Sequence, residues 1–210
     1  MNSIKNLEWR YATKKFDATK SLSNSQINIL KEAFNLTATS YGLQPVKMVV
    51  IQNKEIQNQL VAHSWNQTQV LEASHVLVLC IPKEYTNKDV ENYFSLVKNI
   101  RNTPDEILNP FKEMLASSID SKSQEELKTW NTNQAYIALG NLMTVAANEQ
   151  IDTCPMEGFI PEKYDEILNL DKHNLTSVLV LPVGYRADDC FMKDLKKIRK
   201  KTEEVIIEIK

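Results

Sequence analysis

Glycine is scarce in this chain: Gly42, Gly140, Gly158 and Gly184 are the only four in 210 residues. They stand too far apart for the GxGxxG turn of a dinucleotide fold or the GxxxxGK[ST] loop of a P-loop protein. A phosphorylated ligand therefore has to be neutralised by side chains, because no glycine-rich backbone exists to cradle it. Cysteine is sparser still. Cys80, Cys154 and Cys190 cannot all pair within one chain and show no CxxC spacing, which points to reduced thiols in an intracellular protein. The three histidines, His63, His75 and His173, do not fall at metal-ligand spacing, so no metal site is expected. No apolar run approaches the roughly 18 residues that a membrane span needs. The first thirty residues hold no apolar stretch with a small-residue cleavage site. A cytoplasmic protein with no membrane partner is expected. Neither sign of charge dominates: 25 Lys and Arg against 27 Asp and Glu leave a formal charge of −2, which argues against nucleic acid as a partner.

What is present is an ordinary globular balance, 42% hydrophobic and 25% charged, without a linker or an internal repeat. Residues 1–210 are expected to form a single domain around one core. Ser23 and Gln26 make a capping box that opens a helix carrying Ile27, Leu30 and Phe34. Val46 to Ile51 reads as a first strand, Lys54 to His63 as a helix and His75 to Ile81 as a buried second strand. Polar helices are expected over about 86–101 and 104–118, with Pro104 in the first turn. Asn133 to Ala147 leaves little polar face and reads as a helix buried on most sides. Gly140 in its middle suggests close approach to another helix. Ser177 to Val183 reads as a third strand. Val205 to Ile209 reads as a last short strand, set off by the basic stretch Lys193 to Lys201 and in need of a sheet edge, including one in a partner subunit. Strands among longer helices give an α+β or α/β layered domain dominated by helix.

Four segments could carry chemistry. In Arg10-Tyr11-Ala12-Thr13-Lys14-Lys15-Phe16-Asp17, Arg10 offers a planar fork for a phosphate and Lys14 a compact charge on a flexible stem; the plain alternative is a solvated basic turn. Ser40-Tyr41-Gly42-Leu43-Gln44-Pro45 allows a positive φ at Gly42 and a stiff approach to the strand at Pro45; it needs no function. Cys154-Pro155-Met156-Glu157-Gly158-Phe159 can present successive backbone N–H groups, or be a tight turn. Lys193 to Lys201 concentrates Lys197, Arg199 and four further lysines, as solvated faces often do.

Taken in order, these segments resemble the NAD(P)H-dependent nitroreductase family of FMN flavoproteins along essentially the whole chain, nearest to its oxygen-insensitive nitroreductase and dihydropteridine reductase branch. The matching pieces are Arg10-x-x-x-Lys14-x-Phe16-Asp17, Ser40 with Gln44-Pro45, Asn66 ahead of Leu71-Glu72-Ala73-Ser74-His75-Val76, Pro155 to Phe159, Leu181-Pro182-Val183-Gly184 and Lys197-x-Arg199. The resemblance implies an α+β, nitroreductase-like fold. Its central mixed or antiparallel sheet of about four strands is flanked by helices, and the C-terminal strand joins the sheet of a homodimer partner.

It also implies an FMN site spread over Arg10, Tyr11, Ala12, Thr13 and Lys14, then Ser40 and Gly42, Asn66 and Gln69, Pro155, Met156, Glu157 and Gly158, and finally Lys197 and Arg199. By this resemblance Arg10, Lys197 and Arg199 hold the phosphate, while Lys14 lies near the N1/O2 edge of the ring and stabilises the charge of the reduced flavin. Asn66 meets the pyrimidine edge, and Glu157 and Gly158 turn backbone N–H groups to N5 and O4. The Ser40 loop reaches the flavin held mainly by the other subunit. Tyr41 and Phe111 fall on the acceptor side, where Phe111 could equally be a core aromatic.

No catalytic acid, base or nucleophile is implied. NADH or NADPH reduces the flavin, and a small-molecule electron acceptor such as a nitroaromatic or quinone reoxidises it. Departures from the branch are Tyr11 and Ala12 in the phosphate loop, Gly42 and Val46 near the ring, and Gln69 where a second lysine is usual. Gln69 predicts a lowered flavin potential. Enone or free-flavin reduction, a slow flavin-storage protein and a basic-arm nucleic-acid binder are the competing readings.

Overall fold

The computed structural model describes residues 3–210. Along the chain the helices are α1 (Ser3–Trp9), α2 (Asn24–Asn35), α3 (Lys54–Val61), α4 (Gln69–Glu72), α5 (Asn87–Arg101), α6 (Asp105–Asp120), α7 (Gln124–Asn148), α8 (Pro161–Ile167) and α9 (Thr202–Val205). The strands are β1 (Lys47–Ile51), β2 (His75–Pro82), β3 (Asp152–Thr153) and β4 (Leu175–Gly184). They form one antiparallel sheet in the order β1-β2-β4-β3. The architecture is therefore α+β, and the expected choice between mixed and antiparallel resolves to antiparallel.

Period-two alternation in the two central strands builds a core on each face of the sheet. Val76, Val78, Cys80 and Val180 pack with Phe16, Leu60, Val70 and Tyr164 on one face. Leu77, Leu79, Ile81, Leu179 and Leu181 face Ile27 and Leu30 of α2 and Ala135, Ala138 and Leu142 of α7 on the other. A third cluster, with Leu43, Tyr85, Phe94, Leu115 and Leu127, lies under α5 and α6. No helix among the described residues is long and apolar enough to cross a membrane.

The capping box predicted at Ser23 forms: Gln26 N–H donates to Ser23 Oγ at 3.3 Å, and Ser23 N–H to Gln26 Oε1 at 3.0 Å. Three expectations need correction. The buried helix begins at Gln124, nine residues before Asn133, because Ser123 and Glu126 form a capping box of their own. It is also not buried on most sides: Tyr136 is 43% and Ile137 50% exposed, and beyond its own stretch of helix no atom of the described residues lies within 4 Å of the position a Gly140 Cβ would take, so they make no close helix approach there. Finally, Val205 to Ile209 is no strand in the chain's own sheet. Val205 ends the one-turn α9, Ile206 turns extended at φ −120° and ψ 128°, and Ile207 and Ile209 stand more than 90% exposed with no ladder partner. The fourth strand is β3 instead, pairing Asp152 with Gly184 and Thr153 with Val183.

Candidate functional site

The two ends of the chain meet. The Lys197 ammonium donates to Leu7 O at 3.0 Å and to Arg10 O, so a lysine of the C-terminal stretch caps the carbonyl end of α1. A cleft of about 510 Å³ opens beside this contact, lined by Trp9, Arg10, Tyr11, Pro155, Lys197 and Arg199 among others. Arg10 Nε is buried there without a hydrogen-bond partner. Burial and the nearby Arg199 guanidinium hold Arg10 below its usual pKa range, and burial, Arg10 and Arg199 do the same to Lys197. Arg10, Lys197 and Arg199 thus share one cleft, which Lys193, Lys196 and Glu8 also line, and a dianionic phosphate is the kind of group that would relieve the excess of positive charge. The Arg199 guanidinium donates to Ile198 O at 2.6 Å.

Further in, backbone pairing joins the loop after α1 to β3, and the segment after β3 to β4. Ala12 bridges Thr153 in parallel register, the N–H of buried Thr13 donates to Thr153 O at 3.1 Å, and Met156 bridges Val180. This pairing sets Lys14 beside Cys154, with Nζ 3.8 Å from Sγ, and Gln69 approaches the same sulfur at 3.8 Å. Gln69 is 4% exposed and donates to Gln67 Oε1 at 2.9 Å, while Gln67 donates to Gly158 O at 3.2 Å. Asn66 is exposed beside them in the left-handed region, at φ 57°.

A Cβ on Gly158 would lie 2.8 Å from two carbons of the Trp65 indole, so this ring, 71% exposed, would have to shift to admit one. Glu157 is exposed, and its carboxylate accepts from Tyr136 Oη at 2.6 Å. The N–H groups of Glu157 and Gly158 donate to no backbone acceptor among the described residues.

Ser40, Tyr41, Gly42 and Phe111 lie elsewhere. Ser40 N–H donates to Gln134 Oε1 at 2.8 Å, whereas Tyr136 reaches Glu157. Two residues along a helix turn about 200°, so the Ser40 loop and Glu157 sit against opposite flanks of α7. The positive φ expected at Gly42 is observed, at 74°, and a Cβ there would meet Tyr93 Oη at 2.9 Å. Tyr41 shares the left-handed conformation at φ 55°. Its ring meets Phe111 edge-on at 6.0 Å, and Phe111 meets Phe94 at 5.7 Å. Phe111 thus packs one edge on the third core cluster, as the core-aromatic alternative expects, and leaves 41% of itself exposed.

Several neighbours of the site escaped sequence reasoning. Trp65, Gln67, Gln134 and Tyr136 carry no motif of their own. Trp65 and Gln67 flank Asn66, which was their only signal.

Comparison with known proteins bears on this arrangement. The sequence model of the nitroreductase family matches residues 7–185. A Staphylococcus epidermidis protein provisionally named an NAD(P)H nitroreductase is 32% identical over 206 residues, covering 94% of this chain and 92% of its own length. A solved structure from Bacillus subtilis, described as a nitroreductase, superposes with a TM-score of 0.87 over 98% of both chains at 19% identity. One from Exiguobacterium sibiricum, a nitroreductase solved in complex with FMN, gives 0.84 over 100% of this chain and 98% of its own at 18% identity. At such identities the two structures speak to the fold alone. The family match ends before Lys197 and Arg199, so the C-terminal half of the cationic cleft rests on geometry.

Proposed function

The chain belongs to the nitroreductase family, and from that premise we propose that it is an FMN-dependent oxidoreductase using NADH or NADPH to reduce a small-molecule acceptor such as a nitroaromatic or a quinone. The observation that carries this reading is the unpartnered, buried Arg10 Nε between Lys197 and Arg199. The residues fit the cofactor at both ends: a cation cleft for the phosphate, and two free backbone N–H groups at Glu157 and Gly158 for ring acceptors. When bound, FMN supplies the hydride and two-electron chemistry that no side chain here can perform.

The protein's part is to bind and orient. Arg10 and Arg199 present guanidinium forks to the phosphate, and Lys197 ties the tail that carries Arg199 to α1. Lys14 places a fixed charge beside the ring edge, while Gln67 fixes the Gly158 carbonyl and with it the loop that carries the ring donors. The Glu157 carboxylate is engaged by Tyr136 and takes no acid or base role.

The functional unit in this reading is a homodimer. Tyr136, Ile137 and Gly140 form an uncovered apolar flank on α7, and the Ser40 loop with Tyr41 and Phe111 serves the partner's flavin. The extended apolar end at Ile206–Ile209 is laid against the other subunit, where its free backbone finds a sheet edge.

Anaerobic addition of NADH or NADPH tests the activity. A yellow protein should bleach and then regain its colour with a nitroaromatic or quinone; protein that stays yellow under both nucleotides would refute the enzyme reading. Gln69→Lys should raise the potential of bound FMN by about 20 mV, roughly 1 kcal/mol over two electrons, because it adds a second cation beside Lys14. Equilibration against a redox dye checks this, and an unchanged potential would remove Gln69 from the explanation.

A further inference from the structure

Arg10 is flanked in sequence by two aromatic residues, and both are fixed by a single cation. The Arg186 guanidinium lies 4.0 Å from the Trp9 ring centroid and 4.4 Å from that of Tyr11. Arg186 is anchored in turn on Asp152, which is 3% exposed. The Arg186 backbone N–H donates to Asp152 Oδ2 at 2.9 Å, Nε donates to Oδ1 at 2.7 Å, and Nη2 lies 2.6 Å from the same oxygen. Asp152 also accepts from Thr13 Oγ1 at 3.4 Å. Phe16 bridges Arg186 in antiparallel register, so the loop from Trp9 to Phe16 touches this ion pair along its length.

Arg186 does not line the cationic cleft, although Trp9, Arg10 and Tyr11 all do. Its charge is matched by Asp152 and the Trp9 and Tyr11 rings pack on it, so although its buried Nη2 makes no hydrogen bond among the described residues, it stands outside the cleft. What it can do is hold the two neighbours of Arg10 in place. With Trp9 and Tyr11 both committed to Arg186, the Arg10 side chain is left to project toward Lys197 and Arg199. A lysine could not serve equally, since it lacks the flat face that packs on rings and the fork that meets Asp152.

We propose that Arg186, anchored by Asp152, is a positioning residue for the phosphate end of the site: it clamps Trp9 and Tyr11 and thereby sets Arg10 on the FMN phosphate. The proposal rests on the flavin reading above, and its test separates the two. Apoprotein is titrated with FMN and with riboflavin, which lacks the phosphate, in the wild type and in the double variant Arg186→Met, Asp152→Asn. That variant removes one charge of each sign, so the net charge is unchanged and no buried carboxylate is left unpaired. The wild type should bind FMN more tightly than riboflavin. The variant should lose about tenfold in FMN affinity while its riboflavin affinity stays within about twofold, with an unaltered circular dichroism spectrum. An unchanged ratio of the two affinities overturns the proposal, as does an equal loss for both ligands, which marks a general structural role. A wild-type apoprotein that binds neither ligand overturns the flavin reading, and the proposal with it. Arg186→Lys should remain closer to the double variant than to the wild type; full recovery by lysine would show that charge alone suffices and would refute the clamp.

Discussion

Replacing Arg10 by methionine should weaken FMN binding by about a hundredfold and leave the apoprotein as stable as before, or slightly more so. A charge-assisted hydrogen bond contributes roughly 1.5–3 kcal/mol, which spans about ten- to 150-fold in affinity. The lower part of that range is disfavoured because Arg10 is partly buried and its Nε is already stripped of solvent. The same burial explains the stability. In the apoprotein Arg10 is a partly buried cation with an unpartnered donor, repelled by the nearby Arg199 charge, so its removal relieves desolvation and repulsion. A site built for a ligand and a site built for stability thus make opposite predictions for one substitution. Fluorescence titration with FMN and thermal melts of the apoprotein distinguish them. A destabilised apoprotein with unchanged FMN affinity would mean that Arg10 is a structural residue.

Ile137→Asp should convert a dimer into a monomer and take FMN binding with it. Ile137 is half exposed in the single chain, so the substitution costs little within the protomer. In a dimer packed on this flank of α7 it would bury an unpaired carboxylate, a penalty of several kcal/mol, enough to weaken association at least about a hundredfold. In the proposed dimer flavin affinity follows, because the Ser40 loop and Glu157 lie against opposite flanks of α7 and would complete one site only across two chains. Sedimentation at micromolar concentration should show a folded monomer with native helicity. A dimeric variant, or a monomer that still binds FMN at wild-type affinity, would break the composite-site account.

Much of this was legible in the sequence because it was local. The capping box at Ser23, the continuous apolar run Val76 to Ile81 and the positive φ at Gly42 each depend on a few neighbouring residues. What was missed depends on pairing across the chain. β3 is two residues long, too short for any periodicity, and exists because β4 offers an edge to Asp152 and Thr153. The start of α7 was signalled by Ser123 and Glu126, but the polar turns that follow mask the apolar stripe beginning at Leu127. The run Val205 to Ile209 has strand composition, but its first residue closes the one-turn α9 and the extended remainder has no strand partner among the described residues, because the edge it calls for is not in its own chain. Arg186 carries no motif at all; its role emerges only where the end of the sheet meets the loop after α1. The scarcity of glycine bears on the proposed site directly, since it sends any phosphate toward side-chain cations.

A double-mutant cycle on FMN affinity, with Arg10→Ala, Arg199→Ala and both together, tests most directly whether the two ends of the chain grip one phosphate. The account predicts that each single substitution weakens FMN and that the combined loss departs from the sum by more than about 0.5 kcal/mol, as for groups that share a partner. Strictly additive losses, or an Arg199→Ala protein that binds FMN as the wild type does, would contradict it.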